Sequence, residues 1–217
     1  NVANRVEFSL GDIDAGFAAA DVVIEKDFTT EPVHQGYIEP HAVVADANPE
    51  GKVDIWCSSQ GHFMVRTFVA GLLKIDMSKI KVTAAEIGGG FGGKTTVYLE
   101  PLAVMLSSKS GRPVRMVMSR DEVFRASGPT SGAAMTIKMG AKKDGTIVAC
   151  DATLYLQAGA WPGSPVGPAA MTAFAPYDVD NVRVIGFDVV SNRQKVVAYR
   201  APGAPISEYG VECIVDE

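Results

Sequence analysis

A chain of 217 residues can bury a sizeable core, and at roughly 100–200 residues per domain it makes one large domain or two small ones, not a cystine-stapled miniature. Its 47% apolar content, which leaves out 22 glycines, excludes intrinsic disorder. Twenty basic against 25 acidic side chains, a net charge of −5 and no basic run longer than Lys142-Lys143 exclude a general nucleic-acid binder.

In chain order, Leu10, Ile13, Phe17 and Ala20 sit at helical spacing behind a Ser9 cap, and Asp21 to Phe28 alternates as a strand. His41–Asp46 and Lys52–Ser58 flank Asn48-Pro49-Glu50-Gly51 as a hairpin. Phe63 to Ile75 predicts a helix with Met64, Phe68, Val69, Leu72 and Leu73 on one stripe. Lys79–Ile87 reads as a strand, Gly88 to Gly93 sets five glycines around Phe91, and Leu99–Ser108 reads as a helix stopped at Ser110-Gly111. Val114–Met118 is a further strand, and Met135–Gly140 with Thr146–Leu156 form a hairpin over Lys142-Lys143-Asp144-Gly145.

The 26 residues from Ala152 to Tyr177 carry no charge. Pro162, Pro165, Pro168 and Pro176 forbid a membrane helix there, so a buried or interface-covering loop is expected. Val182–Val190 and Lys195–Tyr199 add two strands, and Ile206–Glu217 begins a helix. Hairpin-connected strands with a few packed helices predict the α+β class. The expected organisation is one domain over 1–217, with possible sub-lobes 1–120 and 121–217.

Cys57, Cys150 and Cys213 are odd in number and widely spaced, which excludes a disulfide framework and a zinc or iron–sulfur knuckle and suits a reducing, cytoplasmic compartment. The chain opens at Asn1 without Met, basic n-region or apolar h-region, so a piece of a longer protein with no signal peptide is expected.

Gly88-Gly89-Gly90-Phe91-Gly92-Gly93-Lys94-Thr95 satisfies both G-x-G-x-x-G and G-x-x-x-x-G-K-[ST]. Glycines allow close backbone approach, and the following amides offer donors to an anion or an oxygen-rich ligand. A phosphate loop needs an acidic residue at the tip of a parallel strand, yet Asp151 falls inside a hairpin run. A dinucleotide site needs an acid about twenty residues on, where the chain reads Gly111-Arg112-Pro113-Val114. A P-loop nucleotide-binding module and an inactive scaffold remain as alternatives.

The glycine loop also resembles the signature loop of the molybdopterin-binding part of the molybdenum hydroxylases, the family of xanthine dehydrogenase, aldehyde oxidoreductase and 4-hydroxybenzoyl-CoA reductase. The likeness extends to Val33-His34-Gln35-Gly36-Tyr37-Ile38-Glu39-Pro40-His41, to Ser58-Ser59-Gln60, and to Ala198-Tyr199-Arg200-Ala201-Pro202-Gly203-Ala204-Pro205, in the family's order. It implies the first molybdopterin-binding domain of such an enzyme, whose molybdenum is held by the pterin with no protein side chain as metal ligand. Gln60 matches a glutamine that hydrogen-bonds an oxygen ligand of the metal, and Arg200 an arginine that places substrate or stabilises developing negative charge; these are the candidate catalytic residues. Gly90, Phe91 and Gly92 match the segment against the cofactor.

Phe91, Thr95 and Ala201 would border the substrate. Thr95 stands where purine oxidisers carry glutamate, and Ala201 where carbon monoxide dehydrogenases carry a copper-linked cysteine. The resemblance implies hydroxylation of an aromatic heterocycle or aldehyde with oxygen from water, or reductive dehydroxylation of an aromatic thioester. It further implies a second molybdopterin-binding domain and iron–sulfur and FAD carriers on other domains or subunits. The catalytic glutamate would lie beyond Glu217, so the piece alone is expected to be inactive. His34, Gln35, Tyr37, Glu39 and His41 resemble a metal box in composition, but the family uses this segment as a structural, channel-lining strand.

Overall fold

In the computed structural model, which describes all 217 residues, the elements run β1 (Val2–Leu10), α1 (Ile13–Ala18), β2 (Val22–Thr30), β3 (Ala42–Ala47), β4 (Val53–Cys57), α2 (His62–Leu73), β5 (Ile80–Ala84) and α3 (Glu100–Ser110). They continue with β6 (Val114–Val117), α4 (Arg120–Ala126), β7 (Ala133–Ala141), β8 (Ile147–Gly159), α5 (Val166–Thr172), β9 (Val182–Val190) and α6 (Ala204–Val215). Two compact units share the chain: residues 1–33, 129–197 and 201–217 form the first, and residues 34–128 and 198–200 the second. They are interleaved rather than following the sub-lobes 1–120 and 121–217 in series, because β1 and β2 complete the sheet built by the late strands.

In the first unit the sheet order is β1-β9-β8-β7-β2, parallel only between β8 and β9. Alternate residues of β7 to β9, among them Ile137, Leu154 and Val184, point into a core closed by Val166 and Ala169 of α5 and Val211 and Ile214 of α6. Burying these aliphatic side chains contributes about 1.5–3 kcal/mol each, an upper estimate that chain entropy opposes.

Three expectations for this unit are corrected. The opening helix is preceded by a strand, and Asp12, not Ser9, caps α1 by accepting from the N–H groups of Asp14 and Ala15. An edge strand exposed on both faces has no alternation to read, and only its pairing with β9 defines it. The uncharged tract from Ala152 to Tyr177 is not one loop, since its start belongs to β8, the middle strand, and Val166–Thr172 is helical. The buried face of β8 carries Ala152, Leu154, Leu156 and Ala158, and its other face beyond Asp151 carries the uncharged Thr153, Tyr155 and Gln157. Lys195–Tyr199 forms no strand. Its backbone donors go to two separate carbonyls, Val196 to Ala158 near the end of β8 and Val197 to Pro129 in a loop, rather than along a continuous ladder.

In the second unit the order β5-β4-β3-β6 contains the expected hairpin, with Val43 opposite Cys57 and Ala45 opposite Ile55. The β4–α2–β5 crossover makes the parallel pair. Val65 and Val69 of α2 and Ala103 and Val104 of α3 seal the core. Of the stripe expected on α2 only Val69 is buried and Leu73 half-buried, while Met64, Phe68 and Leu72 face solvent. The helix is apolar around most of its circumference, so periodicity cannot select the buried side.

The short helix α4 is absent from the sequence reading although Ser119 and Glu122 spell a capping box, each side chain bonding the other's backbone N–H. Ser119→Ala should cost about 1 kcal/mol, read as a lower midpoint in equilibrium denaturation.

Candidate functional site

The four resembling motifs distribute in a definite way. His34–His41, Ser58–Gln60, the glycine loop and Ala198–Arg200 all belong to the second unit, while Ala201 and the residues after it belong to the first. Gly88 to Lys94 is a coil of left-handed turns, with φ of +91° at Gly89, +51° at Phe91 and +102° at Gly92, closed by Gly93 N–H donating to Gly90 O at 2.7 Å. Its glycines are required by space as well as by φ. A Cβ on Gly90 would lie 2.6 Å from Gln60 Oε1, one on Gly92 2.6 Å from Ala198 O, and one on Gly93 2.8 Å from the Tyr37 ring.

Gln60 is fixed by this loop. Its Oε1 accepts from Gly92 N–H at 2.8 Å and Lys94 N–H at 3.2 Å, and its own backbone N–H donates to Lys94 O at 2.9 Å. Two donors on one side of the amide force the oxygen inward, so Nε2 is turned outward on an exposed residue with no protein acceptor. Phe91, whose ring is half exposed, offers its carbonyl to Arg200 N–H at 2.9 Å. Arg200 and Ala201 also have positive φ, 22° and 56°. Left-handed φ at Phe91, Arg200 and Ala201, none of them glycine, marks a backbone over-determined by its surroundings, as at ligand sites. Thr95 turns its hydroxyl back onto Gly92 O at 2.8 Å. The structure therefore joins Gln60, Gly90, Phe91, Gly92, Thr95 and Arg200 through direct contacts in one unit.

The metal-box composition of His34–His41 resolves otherwise. His34 bonds Ser127 at 2.9 Å, His41 shares a 2.6 Å hydrogen bond with the Tyr37 hydroxyl, and Glu39 Oε2 meets Lys94 Nζ at 2.7 Å and Gly88 N–H at 2.8 Å. The segment is irregular rather than a strand. Burial, helped by the Lys94 charge, pushes His41 down to about 4. Burial works to raise the Glu39 carboxyl, but the Lys94 hydrogen bond and Gly88 N–H outweigh it and hold it below its ordinary value. Burial pushes the Cys57 and Cys150 thiols up to about 12, so neither supplies a thiolate near neutrality.

The phosphate-loop alternative fails on two counts. The Lys94 side chain is wholly buried in its ion pair, and no helix starts at the loop, α3 beginning only at Glu100. Asp151 is committed to Arg183, 3.1 Å from its Nε. The sequence reading missed the Glu39–Lys94 pair and the tie from Gln35 Nε2 to Ala198 O at 2.9 Å. A signal existed for the first. Lys94 is the only charge between Glu86 and Glu100, and a lone cation in an apolar run needs a partner.

A family model described as the molybdopterin cofactor-binding domain matches residues 1–217. The chain is 33% identical over 210 residues to the nicotinate dehydrogenase large molybdopterin subunit of Eubacterium barkeri, covering 94% of this chain and 49% of that subunit. It is 30% identical over 221 residues to a probable xanthine dehydrogenase subunit of Bacillus subtilis, covering 100% of this chain and 29% of the relative. Among solved structures, aldehyde oxidoreductase from Desulfovibrio gigas matches with a TM-score of 0.92 at 29% identity, over 100% of this chain and 24% of that one. The chain thus spans about half or less of the length of these relatives.

Proposed function

Because the chain belongs to the molybdopterin cofactor-binding domain family, we propose that it forms part of the cofactor seat of a molybdenum-dependent oxidoreductase acting on an aromatic heterocycle or an aldehyde. The observation that carries this reading is the orientation of Gln60, held by Gly92 and Lys94 N–H so that a neutral donor faces outward beside Phe91 and Arg200. The residues fit the group. Gly90 and Gly92 bring a loop backbone without side chains of its own against Gln60 and Ala198, and an uncharged amide can donate to an oxygen without altering the charge of a redox centre. When bound, the molybdenum–pterin group would supply a two-electron redox centre through which oxygen from water reaches the substrate.

Within that arrangement Gln60 Nε2 orients an oxygen of the bound group by hydrogen bonding, and the Gly90–Gly92 backbone packs against it. The Phe91 ring bounds the substrate slot, which Thr95 also borders. Arg200, its backbone tied to Phe91 O, aims a planar guanidinium at negative charge that develops on the substrate. The names of the relatives, nicotinate and xanthine dehydrogenase, favour the heterocycle over the aldehyde; reductive dehydroxylation of an aromatic thioester is the less supported direction.

The same reading places a second molybdopterin-binding domain, iron–sulfur clusters and a flavin on other domains or subunits of a cytoplasmic enzyme. Two observations support a larger assembly: the short coverage of the relatives, and the apolar side chains Phe63, Met64, Phe68, Leu72, Leu102 and Met105 that α2 and α3 leave exposed. No helix is long and apolar enough to cross a membrane.

Gln60→Ala in the full-length enzyme should lower turnover by about 10–100-fold with molybdenum content retained, as losing a donor that orients a metal's surroundings does. The 217-residue chain by itself should show no turnover and little molybdenum. A full-length enzyme that elemental analysis finds free of molybdenum, or near-stoichiometric metal and activity in the short chain, would overturn the reading.

A further inference from the structure

We propose that Glu39 and Lys94 are positioning residues: their ion pair, buried at the ammonium, clasps the two ends of the glycine loop and thereby fixes which way the Gln60 amide points. The inference rests on the reading that this loop and Gln60 face the cofactor. One carboxylate oxygen, Glu39 Oε2, accepts from Gly88 N–H at 2.8 Å and from Lys94 Nζ at 2.7 Å, so the first and last residues of Gly88–Lys94 meet on one atom. Glycine permits this approach, since a Cβ at 88 would lie 2.7 Å from Glu39 Cβ. The Tyr37 ring lies 4.9 Å from Lys94 Nζ and adds a cation–π contact.

From Lys94 the constraint passes along its own backbone. Its N–H donates to Gln60 Oε1 at 3.2 Å, and its carbonyl accepts from Gln60 N–H at 2.9 Å and Ser59 Oγ at 3.3 Å. Moving Lys94 removes one of the two donors that hold Oε1 inward, and an amide held on one side only can turn to present oxygen where a donor is needed. The loop would not keep its shape unaided, because Phe91 is held at a left-handed φ that costs a non-glycine residue and the glycines around it leave the backbone many other conformations. Burying an ammonium is costly, and an apolar side chain of similar volume would fill the space at least as well. The charge therefore has a use that packing does not explain, namely a directional bond to a carboxylate that also holds Gly88.

The test compares Glu39→Gln, Lys94→Met, the double variant and Glu39→Asp in the full-length holoenzyme. Each single neutral variant strands a charge and should melt lower, whereas the double variant removes both charges and should regain the wild-type melting temperature. In the double variant, amide exchange across Gly88–Lys94 should nonetheless quicken at least ~10-fold, and kcat should fall by roughly 10-fold or more with KM little changed. Glu39→Asp keeps both charges but is too short to reach Gly88 and Lys94 together, so it should show the same faster exchange even if the other variants fail to fold. Wild-type exchange and kcat in the double variant or in Glu39→Asp would reduce the pair to core filling and overturn the proposal. A wild-type enzyme without molybdenum would instead defeat the cofactor reading, while the exchange measurement would still decide the clasp.

Discussion

Gly92→Ala is expected to lower the stability of the second unit by about 3 kcal/mol or more and to disable the site, from two costs that add. An L-residue at φ +102° is strained by about 1–2 kcal/mol. The new Cβ would also lie 2.6 Å from Ala198 O and 2.8 Å from Ala198 C, which are backbone atoms, and overpacking of this kind costs about 1–3 kcal/mol. Ala198 cannot easily retreat, because Gln35 Nε2 holds its carbonyl at 2.9 Å. Any shift that relieves the clash moves Gly92 N–H off Gln60 Oε1 and Phe91 O off Arg200, so turnover falls with stability. At about 2–4 °C per kcal/mol for a chain of this size, the melting temperature should drop by roughly 6–12 °C. Gly111→Ala is the control: its φ is +65° with no atom near the new Cβ, so it should cost only about 1 kcal/mol. Equal losses in the two variants by calorimetry would show that the approach of Gly92 to Ala198 does not constrain the loop.

What could be read from the sequence follows from which forces act locally. The hairpin β3–β4 and the strand β9 are legible because turn residues and strict alternation are local properties. The edge strand β1 and the buried face of α2 are not, since one is defined by a partner about 180 residues away and the other by the sheet it lies on. The site behaves similarly. Gln60, Gly90, Phe91, Gly92 and Arg200 are named through resemblance, and direct contacts join them in the fold. Glu39 looks like part of a compositional box and Lys94 like a phosphate ligand, because the lone Lys94 cation signals the need for a partner but the 55-residue separation leaves no local trace of which carboxylate supplies it. The Ser119 capping box, by contrast, is a local signal that hydrophobic periodicity does not register.

Stability of the second unit should fall as pH drops from about 6.5 to 4, with His41 as the main cause. Its imidazole is buried, shares a 2.6 Å hydrogen bond with Tyr37, stacks edge-on to Tyr98, and lies within the field of Lys94, His34 and Glu39. Burial first and the Lys94 charge second push it down to about 4, against an ordinary 6.5. The folded protein therefore keeps His41 neutral in a range where the unfolded chain takes up a proton, so stability is complete above 6.5 and lost progressively down to about 4. At about 1.4 kcal/mol per unit, the loss at pH 4 is roughly 3 kcal/mol. Two carboxyls modify this. Glu39, held below its ordinary value, extends the loss at still lower pH, whereas burial raises Glu100, whose protonation on folding partly offsets it. His41→Gln keeps an acceptor for the Tyr37 hydroxyl and removes the titration. Native-state hydrogen exchange of the β3 and β4 amides, corrected for intrinsic pH effects, should then show a much flatter stability profile between pH 6.5 and 4 in the variant than in the wild type. Parallel profiles would mean that His41 takes up its proton as readily in the folded protein as in the unfolded chain, and that the Tyr37–His41 pair does not exclude charge beside the Lys94 ammonium.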